Sequence, residues 1–519
     1  MSFLSVLFTD PAEQAAAAAQ DEPAYFTDLN LDQAVASLTA GREEYGLQPL
    51  FHTRLWNPET IAYRHEVFQD LEDETLSEGV AEFAAGMRDV RRQMAQADKL
   101  RHRYQKESWF LGAAETYCQA VSGLVQFMEE AEPRSRGLRS VRDYAADYLR
   151  SDRFEQLLAD VRRVQDGLRE VRYCMAIGGG KVTVTRYADE SDYGAEVLAA
   201  FEKFKQAEAK SYLLAYKNFV DMNHVEEAVL DRVALLFPEP FAALDDFCAR
   251  HRHHRDRTVE AFDREVQFYL AYLEFTRRPR SAGLSLCYPQ VSDRSKQLLG
   301  REVFDLALAD KLVAEGTPVV PNDFHLDGPE RVLVVSGPNQ GGKTTFARTF
   351  GQLHHLAALG CPVPGTEARL FLCDQIFTHF ERGENLKDLS GKLQDDLVRV
   401  HDILQRATAS SVVIMNEVFT STTLDDAVVL GTRVLEKIID LGLLCVCVSF
   451  VDELSRLGPS TVSMTSTIVP DDPTMRTFRV VRRPADGLSY AMAIAEKYGL
   501  THDRLLERIS SRADGRIGS

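Results

Sequence analysis

The sequence has no apolar run long enough to cross a bilayer. Its longest, Leu441 to Val451, is interrupted by Gly442 and Ser449 and falls short of the roughly 20 residues that a membrane helix needs. Cysteine is sparse: eight residues, at Cys118, Cys174, Cys248, Cys287, Cys361, Cys373, Cys445 and Cys447, form no CxxC pair and no zinc-like cadence. That excludes a disulfide-stapled scaffold. Reduced, mostly buried thiols are expected instead, with Cys445 and Cys447 on one core-facing side of a strand. Positive charge is in deficit, 60 Lys and Arg against 78 Asp and Glu for a net charge of −18. A chain so acidic does not coat nucleic acid indiscriminately, because phosphate binding is dominated by cationic side chains; any DNA contact must be local. The opening, MSFLSVLFTDPAEQ, has no basic residue before its short apolar stretch, the wrong polarity for a secretory signal. A cytoplasmic protein without membrane contact is the expectation.

What is present is an ordinary globular composition, 45% hydrophobic and 27% charged over 519 residues, which implies about two to four domains. The first 300 residues read as mostly helical. Two stretches carry apolar residues spaced alternately three and four apart: Leu76, Val80, Phe83, Met87, Val90, Met94 and Ala97, then Phe154, Leu157, Val161, Val164, Leu168 and Val171. Both resemble coiled-coil seams, so each helix needs a partner. Pro133 breaks the pattern between them. YCMAIGGGKVTVTRY then reads as a hairpin turning at Gly178, Gly179 and Gly180, with Val182 and Val184 alternating with Thr183 and Thr185. Helical pattern resumes near Ala195, with Leu198, Phe201 and Phe204 along one face, and runs to about Phe275. RRPRSAGLSLCYPQ, from Arg277, is the expected domain boundary. Beyond it, VLVVSG, SVVIMNE and LLCVCVSF alternate with helical segments, which predicts a mainly parallel, covered sheet.

The strongest chemical signal is Gly337-Pro338-Asn339-Gln340-Gly341-Gly342-Lys343-Thr344, a GxxxxGK[ST] run directly after an apolar strand and before a helical segment, followed by Thr345. Its glycines let backbone N–H groups curl around phosphates, Lys343 reaches the terminal phosphates, and the Thr344 hydroxyl can ligate magnesium. ATP with Mg2+ is the expected ligand. A P-loop also needs an acid at a neighbouring strand end, and VVIMNE supplies Asn416 then Glu417. Glu417 can polarise the attacking water; Asn416 supports the metal only indirectly, since an amide accepts a hydrogen bond but brings no negative charge.

These residues, with VPND at Val320 to Asp323, IFTHFE at Ile376 to Glu381, SGK at Ser390 to Lys392, TSTTLDD at Thr420 to Asp426 and VSFVDEL at Val448 to Leu454, resemble the ATPase domain of the MutS mismatch-repair family in the family's order. The resemblance covers roughly residues 300 to 505 by motif. More loosely, NPETIAYRHEVFQDL at Asn57 to Leu71 is similar to the family's core, and the helix-hairpin-helix order to its lever and clamp. It implies a multidomain protein: residues 1–300 as a mainly α-helical core, lever and clamp with a small β insertion at about 171–190, and residues 301–519 as a C-terminal α/β P-loop ATPase domain of ABC type. It also implies a homodimer in which the signature loop, here Ser390 and Gly391, closes the other subunit's nucleotide site.

The chain departs from the family at three places. Asn416 replaces its Asp, Leu393 and Gln394 replace the Ser-Thr pair of its signature, and Phe450 replaces a strand-end histidine. Lys343, Thr344, Glu417 and Asp426 remain, so slow ATP hydrolysis is expected, with Lys343 and Glu417 catalytic. No Phe-x-Glu wedge lies near the start, and about twenty residues follow SYAMAIAEKYGL, so neither mismatch-wedge recognition nor an Smr nuclease is expected. Arg88, Arg91, Arg92, Lys99, Arg101 and Arg103, and the run Arg250 to Arg257, are the patches that could meet DNA phosphates, the first interleaved with acids as in a solvated helix face. The histidines of the second have no metal-ligand spacing. The expected function is an ATP-gated clamp on DNA in repair or recombination; the alternative is a nucleotide-gated scaffold for a protein or ribonucleoprotein.

Overall fold

The computed structural model describes residues 5–17, 21–188, 222–381, 391–469 and 472–484. Among them no helix is long and apolar enough to cross a membrane. The chain divides into two compact units, one of residues 1–3, 74–133 and 139–263, the other of residues 4–73, 134–138 and 264–519.

The first unit is built from paired helices. Glu74–Lys99 packs on Arg103–Ala131 through the expected seam: Leu76, Val80, Phe83, Met87, Val90 and Ala97 are buried and Met94 half-buried. The second seam lies on Asp152–Arg169, whose first turn is capped by the Ser151 side chain accepting from the Phe154 N–H. Phe154, Leu157, Val161 and Val164 are buried there, while Val171 falls beyond the helix. The hairpin pairs Tyr173–Gly178 with Lys181–Arg186. Gly179 and Gly180, at φ 59° and 75°, form its two-residue turn, the left-handed pair that matches strand twist. It is more exposed than alternation suggested: Val182 is exposed, and Val184 packs on a small cluster with Val233 and Phe241. The expected helical face at Leu198, Phe201 and Phe204 lies outside the described residues.

The basic run at Arg250 to Arg257 lies at a turn, with Arg252, His253 and Arg257 exposed and other charges paired within the same unit. Arg250 and His251 meet the buried Asp160 at 2.9 and 2.8 Å, and Arg255 pairs with Glu260. His254 is buried between the rings of Phe110 and Tyr117, and desolvation lowers its pKa to about 4. On the first patch, Arg91 pairs with Asp263, Arg92 with Asp89, and Arg103 with Asp245 and Glu107, while Arg88, Lys99 and Arg101 are exposed.

The second unit centres on a six-stranded sheet in the order Ile376–His379, Val412–Asn416, Leu444–Val448, Val332–Ser336, Thr461–Val469 and Asp472–Arg482. The first five are parallel and the last is antiparallel. Three inner strands are buried along their whole length, as sheets covered on both faces require. Met415, Cys445 and Cys447 share one core cluster with Val400 and Ile403 of Lys392–Arg406 and with Leu435 and Ile438 of Leu424–Leu441. The other face carries Lys343–Ala358.

The segment 4–73, grouped by sequence with the helical body, instead packs on this unit. His355, on the sheet-covering helix, bonds Tyr25 Oη and the Phe51 carbonyl. Arg64, fully buried, donates to the carbonyls of Leu7 and Leu359 at 2.9 and 2.8 Å and lies against the rings of Phe8 and Phe268. Nor does RRPRSAG separate the units: the helix Arg257–Ser281 runs into it and ends at Ser281, and the division falls inside that helix, between Asp263 and Arg264. Arg64→Ala would leave two buried carbonyls unpaired and a cavity. We expect a stability loss of about 3 kcal/mol or more in denaturant unfolding; a loss below about 1 kcal/mol would mean the junction relaxes around it.

Candidate functional site

The strand Val332–Ser336 leads into the Gly337–Gly342 loop, and the helix Lys343–Ala358 follows. Gly337, Gln340 and Gly342 take positive φ of 115°, 60° and 90°, turning the chain within a few residues so that the helix N-terminus faces the loop. Two of the three are glycines, which enter this region freely; Gln340 does so at a cost of about 1–2 kcal/mol. Such strain persists where the surroundings over-determine the backbone.

Lys343 is folded back into this loop. Its Nζ donates to the carbonyls of Gly337 and Pro338 at 2.9 and 3.2 Å and to Asn339 Oδ1 at 3.2 Å. Burial holds its pKa below the usual lysine value, partly opposed by the nearby Glu417 carboxylate. Thr344, next on the helix, donates Oγ1–H to Asn416 Oδ1 at 2.9 Å. Asn416 ends its strand opposite Val448, and the Glu417 N–H is bound by the Val448 carbonyl at 2.9 Å. Glu417 and Phe419 then adopt φ of 56° and 63°, a reversal that directs the Glu417 side chain toward the loop.

Asn339 to Thr345 and Glu417 thereby line one cavity of about 670 Å³. Its other half is apolar, with Val303, Leu312, Val319, Val320 and Phe346 among its lining residues, and Phe478 at its rim. Asn322 ties this half together, donating to the Phe478 carbonyl at 3.2 Å and accepting the Val480 N–H at 2.6 Å. A second cavity, of about 650 Å³, sets Arg54, Arg399 and Arg406 beside Asp28, Asp374 and Asp402 and touches no loop residue. Its charges balance, so it offers an anion no comparable attraction.

Of the sequence-derived residues, then, Asn339, Gln340, Gly341, Gly342, Lys343, Thr344, Thr345 and Glu417 meet at one cavity, with Gly337 and Pro338 supplying carbonyls to Lys343 and Asn416 joined to Thr344. Gly391 begins the helix Lys392–Arg406 and does not line the cavity; Ser390 lies outside the described residues. Asp426 accepts from the Thr422 and Thr423 hydroxyls at 3.1 and 2.9 Å and so serves the start of Leu424–Leu441. Phe450 is exposed just past its strand. Sequence reading singled out Val320 and Asn322 within VPND but missed the rest of the apolar wall at 303–319, Phe478, and the contact of Arg476 Nε with the Asn339 carbonyl at 3.1 Å. No local pattern marks these residues, since long-range pairing delivers them.

The hydroxyl of Thr344 and the amide oxygen of Asn416 are hard oxygen donors beside the loop, a set that fits magnesium accompanying a nucleotide and suits no softer metal.

Residues 333–511 match the family model described as MutS domain V. The chain is 28% identical over 228 residues to a DNA mismatch repair protein MutS of Chlorobium phaeovibrioides, covering 43% of this chain and 26% of that protein. It is 24% identical over 486 residues to a DNA mismatch repair protein MutS of Chlorobium chlorochromatii, covering 85% and 54%. To an endonuclease MutS2 of Gemmatimonas aurantiaca it is 28% identical over 214 residues, covering 40% and 25%. The chain thus spans from a quarter to about half of the length of these relatives.

Proposed function

We propose, from the premise that this chain belongs to the MutS family, that it binds ATP with magnesium in the 670 Å³ cavity and uses binding and slow hydrolysis to gate a clamp on DNA, in mismatch repair or a related repair process. The observation that carries the reading is the meeting of Lys343, Thr344 and Glu417 on one cavity whose other half is apolar. The loop N–H groups and Lys343 take the phosphates, and the apolar wall with Phe478 takes the base. Thr344 would hold magnesium directly and Asn416 through water; the ion supplies charge neutralisation at the terminal phosphates. Glu417, aimed at the loop by its left-handed turn, orients the attacking water and accepts its proton. Turnover is slow because Asn416 adds no negative charge and Phe450 offers no polar group.

The seam helices and hairpin of the first unit are the lever and clamp of this reading. Gly391, away from the cavity in its own chain, is available to a second copy, whose nucleotide it would close. ATP then strengthens dimerisation. Sedimentation with and without a nonhydrolysable analogue is expected to show a shift from monomer to dimer at micromolar protein; a monomer under both conditions removes the composite site.

A second reading, a nucleotide-gated scaffold for a protein or ribonucleoprotein, draws support from the basic side chains. Arg91, Arg92, Arg103, Arg250 and Arg255 are engaged in ion pairs, and the net charge is −18. Binding of the full chain to duplex DNA separates the two. A log-affinity that falls with log-salt supports the clamp; no binding at low salt, with or without ATP, supports the scaffold.

A further inference from the structure

We propose that Ser466 is a positioning residue of the phosphate loop: its hydroxyl takes over the loop carbonyls that Lys343 releases when the ammonium turns to the terminal phosphates of a nucleotide. The proposal rests on the nucleotide-site reading above and deepens it.

The strand Thr461–Val469 runs parallel to Val332–Ser336 with Thr465 opposite Ser336, so the next residue, Ser466, stands beside Gly337, where the loop begins. The approach is close. A Cβ on Gly337 would lie 2.5 Å from Ser466 Oγ, and one on Gly341 2.6 Å from it, so no side chain is tolerated at either loop position. Ser466 is 0% exposed, and its Oγ has no hydrogen-bond partner among the described residues. Buried hydroxyls in native proteins are rarely left so, because desolvation is uncompensated.

The loop has the complementary shortfall. The Gly337 and Pro338 carbonyls accept from Lys343 Nζ at 2.9 and 3.2 Å. When the ammonium pairs with phosphate, these acceptors lose a charged donor. The Ser466 O–H, lying against the same glycine, is a donor with nothing yet to bind. The adjoining strand already braces the loop, through Arg476 on the Asn339 carbonyl. One hydroxyl unpaired before binding and carbonyls unpaired after it match each other, so Ser466 stabilises the nucleotide-bound loop and contributes nothing to the free one.

The test has opposite signs in the two states. In Ser466→Ala, the unfolding midpoint of the free protein should stay the same or rise, because an unpaired buried polar atom is removed. Affinity for the nonhydrolysable analogue AMPPNP with magnesium, measured by calorimetry, should fall about three- to tenfold, the worth of one neutral hydrogen bond. Ser466→Cys, close in size and a weaker donor, should fall between. Wild-type affinity in Ser466→Ala, or a loss of affinity matched by a parallel loss of stability in the free protein, overturns the proposal. If Lys343→Ala weakens binding while Ser466→Ala does not, the Ser466 role alone falls. If Lys343→Ala binds as wild type does, the nucleotide site is elsewhere and both readings fall.

Discussion

We expect Lys343→Ala to abolish tight ATP binding. The ammonium is the one side-chain cation among the cavity-lining residues, in a loop that otherwise offers backbone N–H groups. It is held ready by Gly337, Pro338 and Asn339. Exchanging those carbonyls for phosphate oxygens converts neutral acceptors into anionic ones, and a charge-assisted hydrogen bond contributes about 1.5–3 kcal/mol. With two such bonds lost, affinity falls by about two to four orders of magnitude. The lowered lysine pKa reinforces the effect, since desolvation already disfavours the charged form and an anion relieves it. Calorimetry reads the loss, and circular dichroism with thermal unfolding establishes that the variant is folded. A folded variant that binds ATP as wild type does would place the nucleotide elsewhere.

Glu417→Gln should nearly eliminate hydrolysis while leaving ATP bound, and Asn416→Asp should accelerate it. The two side chains are consecutive but differently placed. Asn416 ends the strand in contact with the Thr344 hydroxyl, whereas Glu417 is turned out of the strand by its positive φ and lines the cavity. Glutamine keeps the shape of Glu417 and removes its capacity to accept a proton. Aspartate at position 416 still accepts from Thr344 and adds a charge toward a hydrated cation, worth about 1.5–3 kcal/mol or roughly ten- to a hundredfold in rate if expressed in the transition state. It should also make ATP affinity depend more steeply on magnesium concentration, a readout independent of turnover. If wild type shows no turnover above Lys343→Ala and Asn416→Asp is equally silent, the chain is a nucleotide-binding scaffold.

Parts of this architecture are consecutive in sequence, and those were legible there. The apolar run before Gly337, the loop glycines and Lys343-Thr344 form one uninterrupted segment whose local conformational preferences agree. The seam helices announce themselves because helical neighbours recur every three or four residues, and the same alternation predicted that Cys445 and Cys447 share a face. The pairing of Arg250 was not legible for the converse reason. Its main partner, Asp160, lies about ninety positions earlier, and a local window sees the charges without their counterions.

The sequence by itself determined the glycine-rich loop at 337–342, the strand-end pair Asn416-Glu417, the alternation of strands and helices after residue 300 and the two seams, because each depends on residues within a few positions of one another. Only the tertiary structure decided what closes the cavity and what supports the loop. Phe478, Ser466 and Arg476 arrive on the paired strands Thr461–Val469 and Asp472–Arg482, the apolar wall at 303–320 on the helix Leu306–Ala314 and its flanks, and residues 4–73 join the sheet unit through the buried Arg64 and His355. Register between distant strands and burial of a polar group both follow from the summed fit of many surfaces, which no short stretch of the chain encodes.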